Sequence, residues 1–190
     1  MSSENSNQDL LDHHDLISDD PQTFAALVNR YQQPVFSFLG RMGFSQSQAE
    51  DLAQDSFLKI WKNRHHYDST KGRVYTWIFT ITRNESINEL RRVNKMQYEP
   101  IEPSLIAGSD PKSDPQFQLE SAQARARLQN AINTLSESDR VTMALSLAGA
   151  LSMHECARIE GCSVQSFRTR TSRAKRRLIL AYKNLEPNDE

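Results

Sequence analysis

Six cations, Arg168, Arg170, Arg173, Lys175, Arg176 and Arg177, stand within one short stretch with no carboxylate among them. Thr169, Ser172 and Ala174 are interleaved with them, and Gln165 and Ser166 lie just upstream. Guanidinium and ammonium groups neutralise phosphates, whereas Gln, Ser, Thr and Arg side chains pair with base edges in a major groove. The chemistry on offer is therefore recognition of duplex DNA. If all six cations met phosphates, log affinity would fall against log salt with a slope of about -5.

Such side chains need a helix with one packed face, and the spacing provides it. At helical periodicity Val164, Phe167, Thr171, Ala174 and Leu178 share a face, Gln165, Thr169, Ser172, Arg173 and Arg176 fall opposite, and Arg168 and Arg170 occupy the flanks. A short helix should precede this one. Ser152 and Glu155 are spaced as a capping box, Gly161 supplies a permissive turn, and Ser163 is placed to cap the second helix. Ala157, Gly161 and Phe167 have the relative spacing of a helix-turn-helix: a small residue at the crossing, the turn and an apolar anchor.

Signals for bond-making chemistry are weak. His154, Glu155 and Cys156 do not form an HExxH zinc-protease pattern, and the sequence lacks a G-x-x-x-x-G-K-[ST] phosphate loop. His13, His14, His65 and His66 lie in polar segments. Cys156 and Cys162 flank the proposed turn without further ligands for a structural zinc, so they read as buried or partly buried thiols. The expectation is a protein with no catalytic residues, metal or cofactor.

The 190 residues carry a net charge of -1 and 37% apolar side chains, enough for compact helical units. No apolar run approaches the length of a membrane span, and the N-terminus is acidic rather than a basic leader, which points to a cytoplasmic protein. Charge is unevenly distributed. Residues 1–20 hold six acids and no Lys or Arg, and residues 99–120 hold five acids against Lys112. A chain so arranged would bind DNA poorly alone and better when another protein holds it in place.

The pattern predicts an all-α protein of two small helical domains joined by a flexible acidic linker, the second domain carrying the helix-turn-helix. Asp20 and Pro21 start a helix with the apolar stripe Phe24, Leu27, Val28, Tyr31, Val35 and Phe38, and Gly40 and Gly43 bracket its end. Ser47 and Glu50 are spaced as a second capping box before Leu52, Ala53, Phe57, Ile60 and Trp61. A polar connection over 62–72 leads to a third helix with Val74, Trp77, Ile78 and Ile81. Ile87 and Leu90 point away from Val74 and Trp77, so this helix must contact two surfaces or expose part of itself. Domain one is placed at 17–95, the linker at 96–116 and domain two at 117–184.

Four stretches resemble the two-domain extracytoplasmic-function group of bacterial sigma-70 factors. FAALVNRYQQPVFSFL at 24–39 is similar to the opening helix, AEDLAQDSFLKIW at 49–61 to the polymerase-binding helix, and YTWIFTITRNESINELRR at 75–92 to the segment that melts and reads the -10 element. LQNAINTLSESDR at 128–140, with the Arg-rich turn and helix after it, resembles the -35-reading domain. The resemblance implies an alternative sigma factor that directs core RNA polymerase to promoters, with the β′ clamp region and β flap as docking sites and an anti-sigma factor as a further partner. It implies polymerase contact by Asp51, Gln54, Asp55 and Lys59, and -10 DNA contact by Lys71, Arg73, Tyr75, Trp77, Arg83, Asn84, Asn88 and Arg91. The -35 DNA would be met by Gln165, Ser166, Arg168, Thr169, Arg170, Ser172, Arg173 and Arg176.

The chain departs from the family pattern at four positions. Glu85 stands where a small or apolar residue is common, Asn88 where Asp is common, Ser136 where Pro usually follows Leu135, and Cys156 where Ile usually follows Glu155. The other reading of the same residues is a stand-alone helix-turn-helix regulator that binds duplex DNA without polymerase and needs no melting surface.

Overall fold

The computed structural model describes residues 2–96 and 115–185, with side chains over 8–93 and 121–185. Its first helix is α1 (Ser2–Ile17), and over residues 8–17, where side chains are described, its buried edge is narrow. Leu16 is fully buried, and buried Asp12 is held by Arg30 and the Tyr31 hydroxyl. A helix anchored by an ion pair and a single leucine leaves little apolar periodicity to detect.

The next helix, α2 (Pro21–Arg41), begins as its residues dictate. The Asp20 carboxylate accepts from the amides of Gln22 and Thr23, and Pro21 fills a position that needs no amide donor. It ends in a Schellman turn in which Gly43, at φ +92°, donates to the Gly40 carbonyl while the Phe44 amide reaches that of Leu39. Helix α3 (Gln46–Asn63) then starts earlier than the Ser47 and Glu50 pairing predicts. The capping box is Ser45 with Gln48, and Glu50 instead accepts from Gln46. The earlier start buries both Phe44 and Ala49, the two positions of a hydrophobic staple across that cap, and this decides the register.

Two short 3₁₀ turns lead to α4 (Val74–Met96). Val74, Ile78 and Phe79 are buried, and Leu90 further along is buried too, because α4 packs on α1, α2 and α3 as well as on the second unit. Of the two options left by its divided stripe, the helix takes contact with two surfaces. The expected linker at 96–116 lies almost wholly outside the described residues.

The second unit comprises α5 (Pro115–Asn133), α6 (Glu137–Ser146), α7 (Met153–Ile159) and α8 (Val164–Lys183). Ser136, in place of the usual proline, caps α6 by accepting from the Asp139 amide. No strand occurs among the described residues, and a single apolar cluster runs from Leu16 through Phe38 and Phe79 to Leu145 and Phe167.

The two units meet through polar contacts as well. Gln129 Nε2 donates to the Gly43 carbonyl at 2.7 Å, and Arg158 Nη1 donates to the Lys71 carbonyl at 2.7 Å. Both contacts pass close to glycines at positive φ. A Cβ on Gly43 would lie 2.8 Å from Asn133 Oδ1, and one on Gly72 would lie 2.7 Å from Arg158 Nη1.

Candidate nucleic-acid interface

The helix-turn-helix forms as the local signals require. Ser152 and Glu155 close a capping box on α7, and the helix ends in a full Schellman turn: Gly161, at φ +65°, donates to the Arg158 carbonyl and Cys162 donates to that of Ala157. Ser163 caps α8 through the Ser166 amide. Phe167 and Ala174 are fully buried against the rest of the unit, which fixes the rotation of α8 and turns its polar side outward. Gln165, Ser166, Arg168, Thr169, Arg170, Ser172, Arg173 and Arg176 are all exposed. Gln165, Ser166, Thr169, Arg170 and Arg173 line one shallow concavity.

The six cations of α8 are not equivalent. Arg170 Nη1 lies 3.0 Å from Glu160 Oε2, and Arg177 Nη1 lies 2.6 Å from Asp139 Oδ2. Among the described residues the other four, Arg168, Arg173, Lys175 and Arg176, form no ion pair. Counting charge along α8 alone therefore overstates what is free to meet phosphates. With four cations the expected salt slope is about -3.6 rather than about -5.

The residues assigned to the -10 element are more dispersed. Asn84, Asn88 and Arg91 are exposed on α4, and Lys71 is exposed just before it. Arg83 is half-buried, with Nη1 donating to Asn84 Oδ1 at 2.9 Å. Tyr75 and Trp77 are half-buried: Tyr75 stacks on Phe79 and meets Tyr31 edge-on, while Trp77 meets Tyr67 edge-on. Both rings thus contribute to packing within the first unit. Arg91 pairs with Glu137 of α6 at 3.2 Å.

Arg73 is held by the second unit. Its Nε donates to Glu155 Oε1 at 2.6 Å and its Nη2 to the Ala150 carbonyl at 3.1 Å, while Thr76 Oγ1 donates to the same Glu155 oxygen at 3.0 Å. Burial alone would raise the Glu155 carboxyl, but hydrogen bonds from Ser152, Arg73 and Thr76 outweigh it and hold the group below the ordinary glutamate range. Asp9 of α1 sits in the field of the same Arg73 and is nevertheless pushed up, chiefly by burial. The first helix of the helix-turn-helix is therefore seated against the start of α4.

Asp51, Gln54, Asp55 and Lys59 are exposed on α3. Lys59 Nζ lies 2.5 Å from Glu85 Oε1, so the unusual Glu85 ties α4 to α3 and orients a residue of this face. Beside the face runs an apolar groove of about 760 Å³ between α2 and α3, lined by Phe24, Val28, Phe36, Phe57, Leu58 and Trp61 among others. Leu58 is 57% exposed there, more than a leucine with only a core role would be.

Cys156 is buried and burial pushes its thiol up to about 11, the opposite of an activated cysteine. Sequence spacing missed Glu160, Asp139 and the interdomain role of Glu155. Glu155 was visible as a cap, whereas the cross-helix carboxylates carry no local signal.

A family model described as Sigma-70 region 2 matches residues 27–96, and one described as Sigma-70, region 4 matches residues 125–178. The ECF RNA polymerase sigma factor RpoE of Cereibacter sphaeroides is 34% identical over 159 residues, covering 84% of this chain and 86% of that protein. SigM of Bacillus subtilis, also an ECF sigma factor, is 29% identical over 168 residues, covering 88% of this chain and 99% of that protein. Among solved structures, CnrH in complex with the cytosolic domain of CnrY superposes with a TM-score of 0.65 at 20% identity, covering 94% of this chain and 98% of CnrH. RpoE of Bartonella quintana, solved with the anti-sigma factor NepR, gives 0.61 at 23% identity, covering 86% and 98%. These two structures bear on the fold alone. With both sigma-70 regions matched in order and a relative above 30% identity across most of its length, the chain belongs to the extracytoplasmic-function group of the sigma-70 family of RNA polymerase sigma factors.

Proposed function

We propose that this sigma factor divides its work among three helices. The outer side of α3, with Asp51, Gln54, Asp55 and Lys59, docks on the β′ clamp region of core polymerase. Exposed Asn84, Asn88 and Arg91 of α4, with Arg83, Arg73 and Lys71, engage the -10 strand as it opens, and Tyr75 and Trp77 support that surface from within. The polar side of α8 reads the -35 element as duplex, and the second unit rests on the β flap. The chain itself makes and breaks no bond. Phosphodiester chemistry belongs to the polymerase.

The observation that carries this reading is the exposed polar side of α8, from Gln165 to Arg176, set on a helix fixed by buried Phe167 and Ala174. Two elements named by their distance from the start site are about 25 base pairs apart, roughly 85 Å of duplex at 3.4 Å per step. Direct hydrogen bonds from Arg73, just before α4, and from Thr76 of α4 to Glu155 of α7 hold the units far closer than that. The units therefore separate when polymerase receives the factor, and the segment between α4 and α5 lets one chain reach both elements.

An anti-sigma factor is the expected regulator. CnrH and the Bartonella RpoE were each solved with a protein partner, and the apolar groove between α2 and α3 offers this chain a surface for one. The reading is tested by adding the purified chain to core polymerase and a library of genomic promoter fragments. Selective initiation is expected. Failure to bind core or to select any fragment, with the chain shown to be folded, would instead favour a stand-alone regulator.

A further inference from the structure

Glu160 occupies a position with no assigned role, at the C-cap of α7 immediately before the Gly161 turn. Its side chain is only 3% exposed. One oxygen accepts from Thr142 Oγ1 of α6 at 2.5 Å, and the other faces Arg170 Nη1 of α8 at 3.0 Å. Three helices thus meet at one carboxylate. Thr142 is itself buried, and Phe167, one turn before Arg170, is buried completely, so neither end of this chain of contacts is free to drift.

A carboxylate placed this way has two effects on Arg170. It cancels most of that residue's charge as seen by a distant phosphate, which weakens the sequence-independent attraction an arginine supplies. It also fixes the guanidinium plane, which matters for the bidentate geometry through which arginine tells one base pair from another. Arg170 is still about half exposed and lines the concavity with Gln165, Ser166, Thr169 and Arg173. A neutralised, oriented fork beside base-reading side chains is suited to selecting a base pair. Arg168, on the opposite flank of α8 and without an ion pair among the described residues, is suited to phosphate.

We propose that Glu160 is a positioning residue for -35 recognition, holding Arg170 so that this arginine selects a base pair instead of neutralising a phosphate. The proposal rests on the reading of α8 as the -35 helix. It gives Glu160 a sign that a merely structural glutamate would not have. Freeing Arg170 should raise affinity for DNA in general and lower discrimination.

The test uses holoenzyme reconstituted from core polymerase and the full chain. Its probes are a promoter duplex selected from the genomic library and a set in which each -35 base pair is replaced in turn, measured by competition over a salt series. Arg170→Ala should flatten the preference about fivefold or more at the base pair it reads, with the salt slope unchanged. Arg170→Lys should behave the same way, because it keeps the charge and loses the fork. Arg168→Ala should reduce the slope by about 0.9 and weaken all duplexes alike. Glu160→Gln, which keeps an acceptor for Thr142, should flatten preference at the base pair affected by Arg170→Ala. It should also bind the replaced duplexes more tightly than wild type and with a steeper salt slope.

Thermal melting of each variant separates these effects from misfolding, and Arg170→Lys, altered at an exposed position, decides the matter if Glu160→Gln melts early. A wild-type holoenzyme with no -35 preference would overturn the reading of α8 and this proposal with it. A wild type that discriminates while Arg170→Lys matches it at every base pair would overturn the proposal alone. So would an Arg170→Ala variant that loses slope and weakens all duplexes equally.

Discussion

Glu155 joins the two halves of this sigma factor, and replacing it with glutamine measures how much that link contributes. Glutamine at this position still serves the capping box with Ser152, so α7 keeps its start, while the charge facing Arg73 disappears. Hydrogen bonds to a charged group contribute about 1.5–3 kcal/mol and neutral ones about 0.5–1.5 kcal/mol. Arg73 Nε and Thr76 Oγ1 both donate to Glu155 Oε1, in a site where the two charged side chains are 28% and 15% exposed. Neutralisation should therefore weaken the junction by roughly 1–2 kcal/mol. The clean measure is a double-mutant cycle of Glu155→Gln and Arg73→Gln in urea unfolding of the whole chain, since effects confined to either helix cancel.

The same cycle has a pH signature. Because the folded chain holds the Glu155 carboxyl below its ordinary value of 4.5, its contribution is complete above that value and is lost as the pH falls through the lower folded value. The coupling should be full at neutral pH and vanish in strong acid, where wild type and Glu155→Gln converge. A coupling below about 0.3 kcal/mol at neutral pH would refute the argument, because it would mean that α7 does not rest on α4 in the free protein.

Three further outcomes follow from the geometry. Gly43→Ala should destabilise the chain by about 1–3 kcal/mol, more than Gly161→Ala does, because both adopt positive φ but only the Gly43 Cβ would strike Asn133 and Ile132; equal losses in urea unfolding would count against the interdomain packing. A maleimide should label half-buried Cys162 in the native protein while Cys156, buried with its thiol pushed up to about 11, reacts only on unfolding, as peptide mass spectrometry would show. Asn84→Ala and Arg83→Ala should impair permanganate reactivity of the -10 region more than promoter occupancy, and a premelted bubble should restore much of the loss because the unstacking cost is already met; normal opening of linear duplex would remove these residues from the melting surface.

What could be read in the sequence and what could not divide along a physical line. Asp20, Ser136, Ser152, Ser163 and Gly161 act on backbone groups within a few residues of themselves, so type and spacing are enough to identify their roles. The apolar side of α8 is equally legible, because its burial of Phe167 and Ala174 follows from helical period alone. The start of α3 is misread from spacing because two serine-led boxes compete within four residues, and burial of Phe44 settles between them. Asp12, Asp139, Glu155 and Glu160 are out of reach for a different reason. Each is paired with an arginine on another helix or just before one, 18, 38, 82 and 10 residues away, and nothing local marks that pairing.

Those pairings alter the function read from charge. A run of six cations looks like one electrostatic surface, but Asp139 and Glu160 convert two of them into oriented donors and leave four to supply attraction. Glu155 likewise occupies Arg73, one of the cations proposed for the -10 surface. In the free chain, carboxylates of the second unit thus occupy cations of both units: Arg73–Glu155 and Arg91–Glu137 cross between the units and depend on their contact, whereas Arg170–Glu160 and Arg177–Asp139 lie within the second unit and do not. Polymerase need not create a binding surface for this factor. On the proposed division of labour it has only to supply enough contact energy to separate α7 from α4, because the exposed side of α8 is fixed by Phe167 and Ala174 within the second unit and does not depend on that contact.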